Sequence, residues 1–232
     1  MSRRVLITGT SSGLGQQLAE HYLACGDVVI GCARRAAPIT NSRYVHHIVD
    51  VTDETAVAAM LAAVRADYEG LDVLINNAGV AAMNAFALMP PAAMHHIVNT
   101  NLIGPMLLTH GAIRLLRKSS AGRIVNVTTI AVPLRLAGES VYAASKAALE
   151  SFTRVLAKEV GAFRITCNAV GPSLTPTRLT SGLPAEVRSR LLRQQAVARE
   201  GTPADVANVI DFFLRPESDL VTGQIVYLGG IS

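Results

Sequence analysis

Tyr142 and Lys146 lie four residues apart in a segment predicted to be helical, so their side chains share one face of that helix. A phenol, whose ordinary pKa is about 10, is a poor acid or base at neutral pH. A nearby ammonium group favours the phenolate and lowers that pKa, which makes the Tyr hydroxyl a usable proton donor and acceptor. The pair therefore predicts acid–base catalysis, although a Tyr and a Lys at this spacing also occur by chance in many proteins.

A second chemical pattern is the glycine-rich turn at residues 8–15, Thr-Gly-Thr-Ser-Ser-Gly-Leu-Gly, which follows an apolar strand and opens a helix. Glycines permit a tight turn, and the free N–H groups and positive dipole of a helix N-terminus attract a diphosphate. An ordinary flexible loop is the alternative. The strand–turn–helix context favours a dinucleotide-binding turn.

The residues after the second predicted strand decide which nicotinamide cofactor is expected. NAD-binding folds carry there, about 20 residues past the glycines, an Asp or Glu that accepts hydrogen bonds from the adenosine ribose. This chain has Ala33, Arg34 and Arg35 instead. No carboxylate repels a ribose 2′-phosphate, and a guanidinium binds one through two parallel hydrogen bonds. The prediction is NADP(H), against the alternative that these arginines are solvated loop charges.

Apolar strands alternate with helices along the whole chain. Strands are predicted at residues 4–8, 28–32, 44–49, 71–75, 122–127, 164–170 and 224–228, and helices at 14–25, 53–67, 92–116 and 142–163. Strands that are apolar throughout must be covered on both faces, so this alternation predicts an α/β fold: a Rossmann-type, doubly wound parallel sheet of about seven strands. We expect one domain, residues 1–232, with a substrate-loop excursion near 173–200.

Several further motifs occur along the chain: Asn76-Asn77-Ala78-Gly79, Asn101-Leu102-Ile103-Gly104, Asn168-Ala169-Val170-Gly171-Pro172 and Val221-Thr222-Gly223-Gln224. With the glycine turn and the Tyr142/Lys146 pair, their order and spacing resemble the short-chain dehydrogenase/reductase family over essentially the whole chain. The combination is far more specific than any one of these motifs alone.

The resemblance implies roles for four catalytic residues. Tyr142 would be the general acid and base, and Lys146 would lower its pKa while holding the nicotinamide ribose. Asn101 would anchor a water in a proton relay. Family members carry a Ser thirteen residues before the Tyr, where this chain has Thr129. The hydroxyl is kept, but the added methyl restricts rotation and takes up pocket volume, so the substrate range is an open question.

The resemblance also implies a cofactor site. Its expected residues are Gly9, Ser11, Gly13, Leu14 and Gly15 for the diphosphate, Arg34 for the 2′-phosphate, Asp50 and Val51 for the adenine, Asn77, Ala78 and Gly79 for the adjoining ribose, and Tyr142, Lys146, Pro172, Thr175 and Thr177 around the nicotinamide. No metal is expected.

The predicted function is an NADPH-dependent oxidoreductase that converts a ketone into a secondary alcohol. A 3-oxoacyl thioester on a carrier protein or CoA, a polyketide-type intermediate and a small free ketone all stay open as substrates. One alternative is a catalytically weak nicotinamide sensor or scaffold of the same fold. Another is an enzyme that works mainly as an alcohol dehydrogenase. A sugar-nucleotide epimerase would need more than the 55 or so residues after Thr177.

Composition and charge narrow the classes further. The 232 residues include 21 Lys and Arg against 17 Asp and Glu, but no run of cations long enough for a nucleic-acid patch, and aromatic residues make up only 4%. Three cysteines without metal-ligand spacing indicate reduced thiols. No stretch is apolar enough for a membrane span or a signal peptide. We therefore expect a cytoplasmic protein with no nucleic-acid or membrane partner.

Two expectations concern surfaces. A homo-oligomer, a tetramer or a dimer, is implied by the resemblance, with pairing through the helices at 92–116 and 142–163 and a second contact through 224–232. In the Arg-rich helix after Pro184, Val187 and Leu191 are expected to turn inward and Arg190 and Arg193 outward. Those cations would steer an anionic substrate or carrier; the alternative is a solvated helix face.

Overall fold

The computed structural model of the protein describes residues 2–175 and 185–231. Within them, seven parallel strands form one sheet in the order β3-β2-β1-β4-β5-β6-β7. The strands are β1 (Arg4–Thr8), β2 (Val28–Ala33), β3 (Tyr44–Ile48), β4 (Val73–Asn76), β5 (Gly122–Val127), β6 (Ile165–Gly171) and β7 (Ile225–Tyr227). The predicted doubly wound sheet is thus confirmed, with strand bounds within about two residues of those expected.

Helices cover both faces of this sheet. They are α1 (Gly13–Ala24), α2 (Glu54–Tyr68), α3 (Pro91–Val98), α4 (Gly104–Leu116), α5 (Ala131–Leu134), α6 (Ser140–Val160), α7 (Ala185–Arg193) and α8 (Pro203–Leu214). One apolar core joins α2, α4 and α6 to the sheet, and the other joins α1 and α8 to the opposite face. Central strands are mainly apolar because both of their faces are buried in these cores, although β5 and β6 also bury Asn126 and Asn168.

Two helical predictions need correction. The single helix expected over 92–116 consists of α3, a π-helical turn at Asn99–Ile103 and α4. The helix α8 was not predicted, although the sequence carries its start signal. Thr202 and Asp205 form a reciprocal capping box around Pro203 at the first helical position, and this combination typically begins a helix.

The strand order reverses between β1 and β4, because the chain crosses from β3 at one edge back to the centre of the sheet. In open parallel sheets, ligands bind at the carboxyl ends of the strands beside such a reversal. Within the described part of the chain, no helix is both long and apolar enough to cross a bilayer.

Candidate active site

A cavity of about 620 Å³ runs along the carboxyl ends of β1, β2, β4 and β5. It brings together nearly all the residues predicted for the cofactor site and three of the four predicted catalytic residues. Its lining includes Gly9, Ser11, Gly13, Leu14, Gly15, Arg34, Asp50, Val51, Asn77, Ala78, Gly79, Thr129, Tyr142, Lys146, Pro172 and Thr175. Thr177 lies outside the described residues. Asn101 is fully buried behind the cavity wall.

The glycine turn at one end of this cavity is shaped for an anion. Gly9 and Gly13 adopt left-handed backbone angles, φ 79° and 61°, which favour glycine. Ser12 precedes α1 in an extended conformation and its side chain does not cap the helix, and the first turn holds no acidic residue. The first N–H groups of α1 are thus left for a ligand, and the donor set fits the diphosphate of a nicotinamide dinucleotide.

Two residues at the adenosine end are held by their own neighbours. Asp50 accepts hydrogen bonds from the backbone N–H and the hydroxyl of Thr52, at 3.0 and 2.8 Å. Burial works against ionisation of Asp50, but these bonds and the charge of Arg34 keep its pKa below the ordinary value. The amide of Asn77 donates to the carbonyl of Thr8 at 2.8 Å. Asn77 therefore joins the end of β4 to β1 besides lining the cavity.

The predicted acid–base pair lies at the other end of the cavity. Tyr142 is 7% exposed and Lys146 is 4% exposed. The Lys146 ammonium donates to the carbonyl oxygen of Val127 at 2.7 Å. Burial raises the pKa of Tyr142 to about 12, and the charge of Glu139 acts in the same direction. A hydrogen bond with Thr129 acts in the opposite direction.

The expected lowering of the tyrosine pKa by Lys146 is not found in this arrangement. One N–H bond of the ammonium is directed at the Val127 carbonyl, and burial is the largest influence on the pKa of the phenol. Burial also lowers the pKa of Lys146 itself to about 8, although the charge of Glu150 acts in the opposite direction. At neutral pH the protein therefore holds a protonated phenol beside a buried ammonium that can lose its proton slightly above neutrality.

The buried ammonium gives a prediction for stability. The pKa of Lys146 is about 8 when folded and rises to the ordinary value for lysine on unfolding. The unfolded state therefore binds more protons above pH 8, and stability gains as pH rises from there. We expect Lys146→Met to be more stable than wild type at pH 7, with this advantage shrinking by about 2 kcal/mol between pH 8 and pH 10.

Urea unfolding of both cofactor-free proteins at several pH values measures this difference. Cysteines and tyrosines that titrate in the same range are common to both and cancel in the comparison. An advantage that stays constant from pH 7 to 10 would show that Lys146 is not a buried ammonium.

Asn101 lies in the π-helical turn between α3 and α4, with its side chain fully engaged. Its oxygen accepts from the backbone N–H of Val80 at 2.9 Å, and its amide donates to the Val80 carbonyl at 2.9 Å and the Ser145 hydroxyl at 3.1 Å. Such turns are rare and concentrate at functional sites. The side chain thus ties the turn to the cavity wall and to α6, and the water-anchoring role of Asn101 stays a prediction.

A buried carboxylate beside this pair was missed from the sequence. Glu150 lies four residues after Lys146 on the same face of α6 and is 3% exposed. It accepts hydrogen bonds from the hydroxyls of Thr128 at 2.6 Å and Tyr227 at 2.7 Å. The repeated spacing of four from Tyr142 through Lys146 to Glu150 was the available signal. The carboxylate places a negative charge behind the ammonium and joins α6 to β7.

A second cavity of about 130 Å³ adjoins the first at Thr129 and Tyr142. Its walls are mainly apolar and comprise Ala81, Met83, Ile130, Ala131, Leu136, Pro172, Ser173, Leu174, Leu191 and one carboxyl, Glu139. Burial raises the pKa of Glu139. Leu191 is buried and Arg190 and Arg193 are exposed, as the sequence predicted. This cavity is where the reacting part of a substrate would lie.

Comparison with known proteins agrees with this geometry. The family model described as Enoyl-(Acyl carrier protein) reductase matches residues 9–231. The chain is 32% identical over 231 residues to the 3-oxoacyl-[acyl-carrier-protein] reductase FabG of Salmonella typhimurium, covering 97% of this chain and 95% of that protein. It is 35% identical over 237 residues to the cis-4-hydroxycyclohexanecarboxylate dehydrogenase of Sinomonas cyclohexanicum, covering 98% and 95%.

Solved structures give the same picture. The ligand-free aldohexose dehydrogenase of Thermoplasma acidophilum superposes with a TM-score of 0.91 at 26% identity, covering 99% of this chain and 93% of that one. A single-residue variant of the actinorhodin polyketide ketoreductase, crystallised with NADPH, gives a TM-score of 0.88 at 26% identity, covering 99% and 96%.

Proposed function

The chain belongs to the short-chain dehydrogenase/reductase family, and on that premise we propose that it is an NADPH-dependent oxidoreductase that reduces a ketone to a secondary alcohol. One observation carries the proposal: a single cavity is lined by the glycine turn at one end and by Thr129, Tyr142 and Lys146 at the other. The turn expected to bind the diphosphate and three of the four residues expected to act in such a reaction therefore line one cavity. A nicotinamide sensor or scaffold would not need Thr129, Tyr142 and Lys146 at that end of the cavity.

The choice of NADP(H) rests on the adenosine end of the cavity. Arg34 and Arg35 line it, and no carboxylate follows β2. The similar actinorhodin ketoreductase was crystallised with NADPH. A 2′-phosphate carries about two negative charges at neutral pH, so two nearby guanidinium groups favour NADPH over NADH.

Each step of the proposed reaction has an assigned group. When bound, the reduced nicotinamide supplies a hydride to the carbonyl carbon of the substrate. The carbonyl oxygen gains negative charge, and Tyr142 donates its hydroxyl proton to that oxygen. Thr129 donates a hydrogen bond to the same oxygen and stabilises the charge as it develops. The Lys146 ammonium stabilises the phenolate left on Tyr142. The raised pKa of that phenol keeps it protonated beforehand, as a reductase requires.

The substrate is a ketone with an apolar substituent next to its carbonyl. Met83, Ile130 and Leu191 in the second cavity suit an acyl chain or a ring, and the similarity to 3-oxoacyl-[acyl-carrier-protein] reductases favours an acyl thioester. The Glu139 carboxyl disfavours an anion beside the carbonyl. An anionic carrier would then extend outward, toward the exposed Arg190 and Arg193.

Alcohol oxidation is a second candidate for the working direction, because a relative of 35% identity is named a cis-4-hydroxycyclohexanecarboxylate dehydrogenase. The two directions share every residue assigned above. Steady-state rates of NADPH oxidation with acyl thioesters, cyclic ketones and small ketones, set against NADP⁺ reduction with the matching alcohols, distinguish them. The proposal expects the highest kcat/KM for a ketone with NADPH. No turnover with any of these pairs would contradict it.

Replacing Ala33 tests the cofactor assignment. An Asp at this position repels the 2′-phosphate and accepts hydrogen bonds from the ribose hydroxyls. Ala33→Asp should therefore weaken the binding of NADPH and strengthen the binding of NADH, each by about 10-fold or more. Ala33→Asn, of equal size and no charge, is the matched control and should change the ratio far less. Fluorescence titration of both cofactors measures the ratio. Wild-type protein that binds NADH at least as tightly as NADPH would contradict the assignment.

We further propose that the protein assembles as a homo-oligomer through α4 and α6, as the family resemblance implies. Val155 on α6 is 54% exposed, and Phe163 just beyond α6 is 38% exposed. Apolar groups exposed next to the proposed interface lose their contact with water when two copies pair.

A further inference from the structure

Tyr44 on β3 reaches across β2 to the glycine turn. Its hydroxyl oxygen lies 2.9 Å from the hydroxyl of Thr10 and 2.7 Å from Nδ1 of His46. Gly31 on β2 leaves the space for this contact, because a Cβ there would stand 2.6 Å from the Thr10 hydroxyl and would overlap the hydroxyl of Tyr44. A glycine within an apolar strand marks a close approach of this kind.

His46 continues the chain of contacts to the loop after β2. Its Nε2 lies 2.9 Å from the carbonyl oxygen of Arg35. A carbonyl only accepts hydrogen bonds, so Nε2 carries a proton and donates it. The imidazole ring therefore lies between the Tyr44 hydroxyl and the Arg35 carbonyl and contacts both. The four groups form a continuous path from Thr10, in the diphosphate turn, to Arg35, in the loop expected to take the 2′-phosphate.

The contact with His46 is what holds that loop. Residues 34–40 form no helix or strand, and most of them are exposed. Among the described residues, the bond from His46 to Arg35 is the one hydrogen bond that holds residues 34–40. Without it, the position of Arg34 and Arg35 would depend on the short tether to β2 and on the partly buried Ile39.

We propose that Tyr44 and His46 are positioning residues that hold the Arg34–Arg35 loop at a fixed distance from the diphosphate turn, and so set the preference for a ribose 2′-phosphate. In a bound dinucleotide the diphosphate and the 2′-phosphate are a fixed span apart, and both anion sites must match it. A loop that is already held in place loses less conformational freedom when it binds the 2′-phosphate, so the affinity for the 2′-phosphorylated cofactor is higher. This inference rests on the proposed use of NADP(H).

The neighbouring residue His47 provides a matched control. It lies next to His46 on β3, but successive side chains of a strand point to opposite faces. Within the described part of the chain it makes no hydrogen bond to the loop. Removing its imidazole therefore makes the same substitution in the same strand without removing a hydrogen bond to Arg35.

The test is the dissociation constant of NADPH and of NADH for wild type, Tyr44→Phe, His46→Ala and His47→Ala, measured by fluorescence titration. Adenosine 2′,5′-bisphosphate and adenosine 5′-monophosphate, titrated calorimetrically, isolate the adenosine end from the nicotinamide. Loss of one positioning hydrogen bond should weaken the two 2′-phosphorylated ligands by about 5- to 10-fold. The dissociation constants of NADH and adenosine 5′-monophosphate should change by less than about twofold in these variants. In His47→Ala, the dissociation constants of all four ligands should stay within about twofold of wild type.

The outcomes are distinct. A wild type that prefers NADPH, with a preference unchanged in Tyr44→Phe and His46→Ala, overturns this inference alone. Equal weakening of both cofactors also overturns it, because that result describes a structural brace without selectivity. A wild type with no preference overturns the cofactor assignment and the inference together. Tyr44→Phe removes a single oxygen atom, so it keeps the test valid if His46→Ala does not fold.

Discussion

Replacing Tyr142 with Phe should lower kcat for ketone reduction by about 100- to 10,000-fold, the range usual for loss of a general acid. The side chain is buried at the junction of the two cavities. Removing its hydroxyl takes away the proton donor and leaves the ring in place. We expect the dissociation constant of NADPH to stay within about twofold, because binding at the adenosine end is untouched.

The control for this variant is Tyr22→Phe. Tyr22 lies in the core on α1 and lines neither cavity. It should keep wild-type kinetics. A Tyr142→Phe protein with kcat within about tenfold of wild type would refute the assigned proton donor.

Thr129→Val should lower kcat/KM by about 100-fold or more, whereas Thr129→Ser should stay within about tenfold of wild type. Val has the shape of Thr without the hydroxyl, so the loss isolates the hydrogen bond to the substrate oxygen. Ser keeps the hydroxyl and frees the volume of one methyl group, so it should accept bulkier ketones. Steady-state kinetics with one small and one bulky ketone measure both effects. Equal rates for Val and Ser would remove Thr129 from the proposed reaction.

The overall fold was predictable because burial on both faces leaves an unmistakable pattern in the sequence. Strands such as β1 and β2 are mainly apolar runs, and their positions were expected almost to the residue. Helix α8 was missed despite the Thr202–Asp205 capping box. The π-helical turn at Asn99–Ile103 could not be read from periodicity, since one inserted residue shifts the apolar pattern too little to notice.

The candidate site was predictable where its residues are close in sequence. The glycine turn and the Tyr142–Lys146 pair are local patterns. The contact of Tyr44 with Thr10 spans 34 positions of the sequence, and that of Glu150 with Tyr227 spans 77. Spacing in the sequence alone does not reveal such contacts. The raised pKa of Tyr142 was not expected, because a sequence shows that a cation is near but not how far both groups are buried.

The central claim is hydride transfer from NADPH to a ketone in the joined cavities. It is tested most directly with NADPH carrying deuterium at C4, on each face in separate incubations, and mass spectrometry of the alcohol formed. The account predicts one deuterium on the carbinol carbon for one of the two labelled faces, with one alcohol formed for each NADPH oxidised. Oxidation of NADPH without an alcohol product, or an alcohol that carries no deuterium from either face, would contradict it.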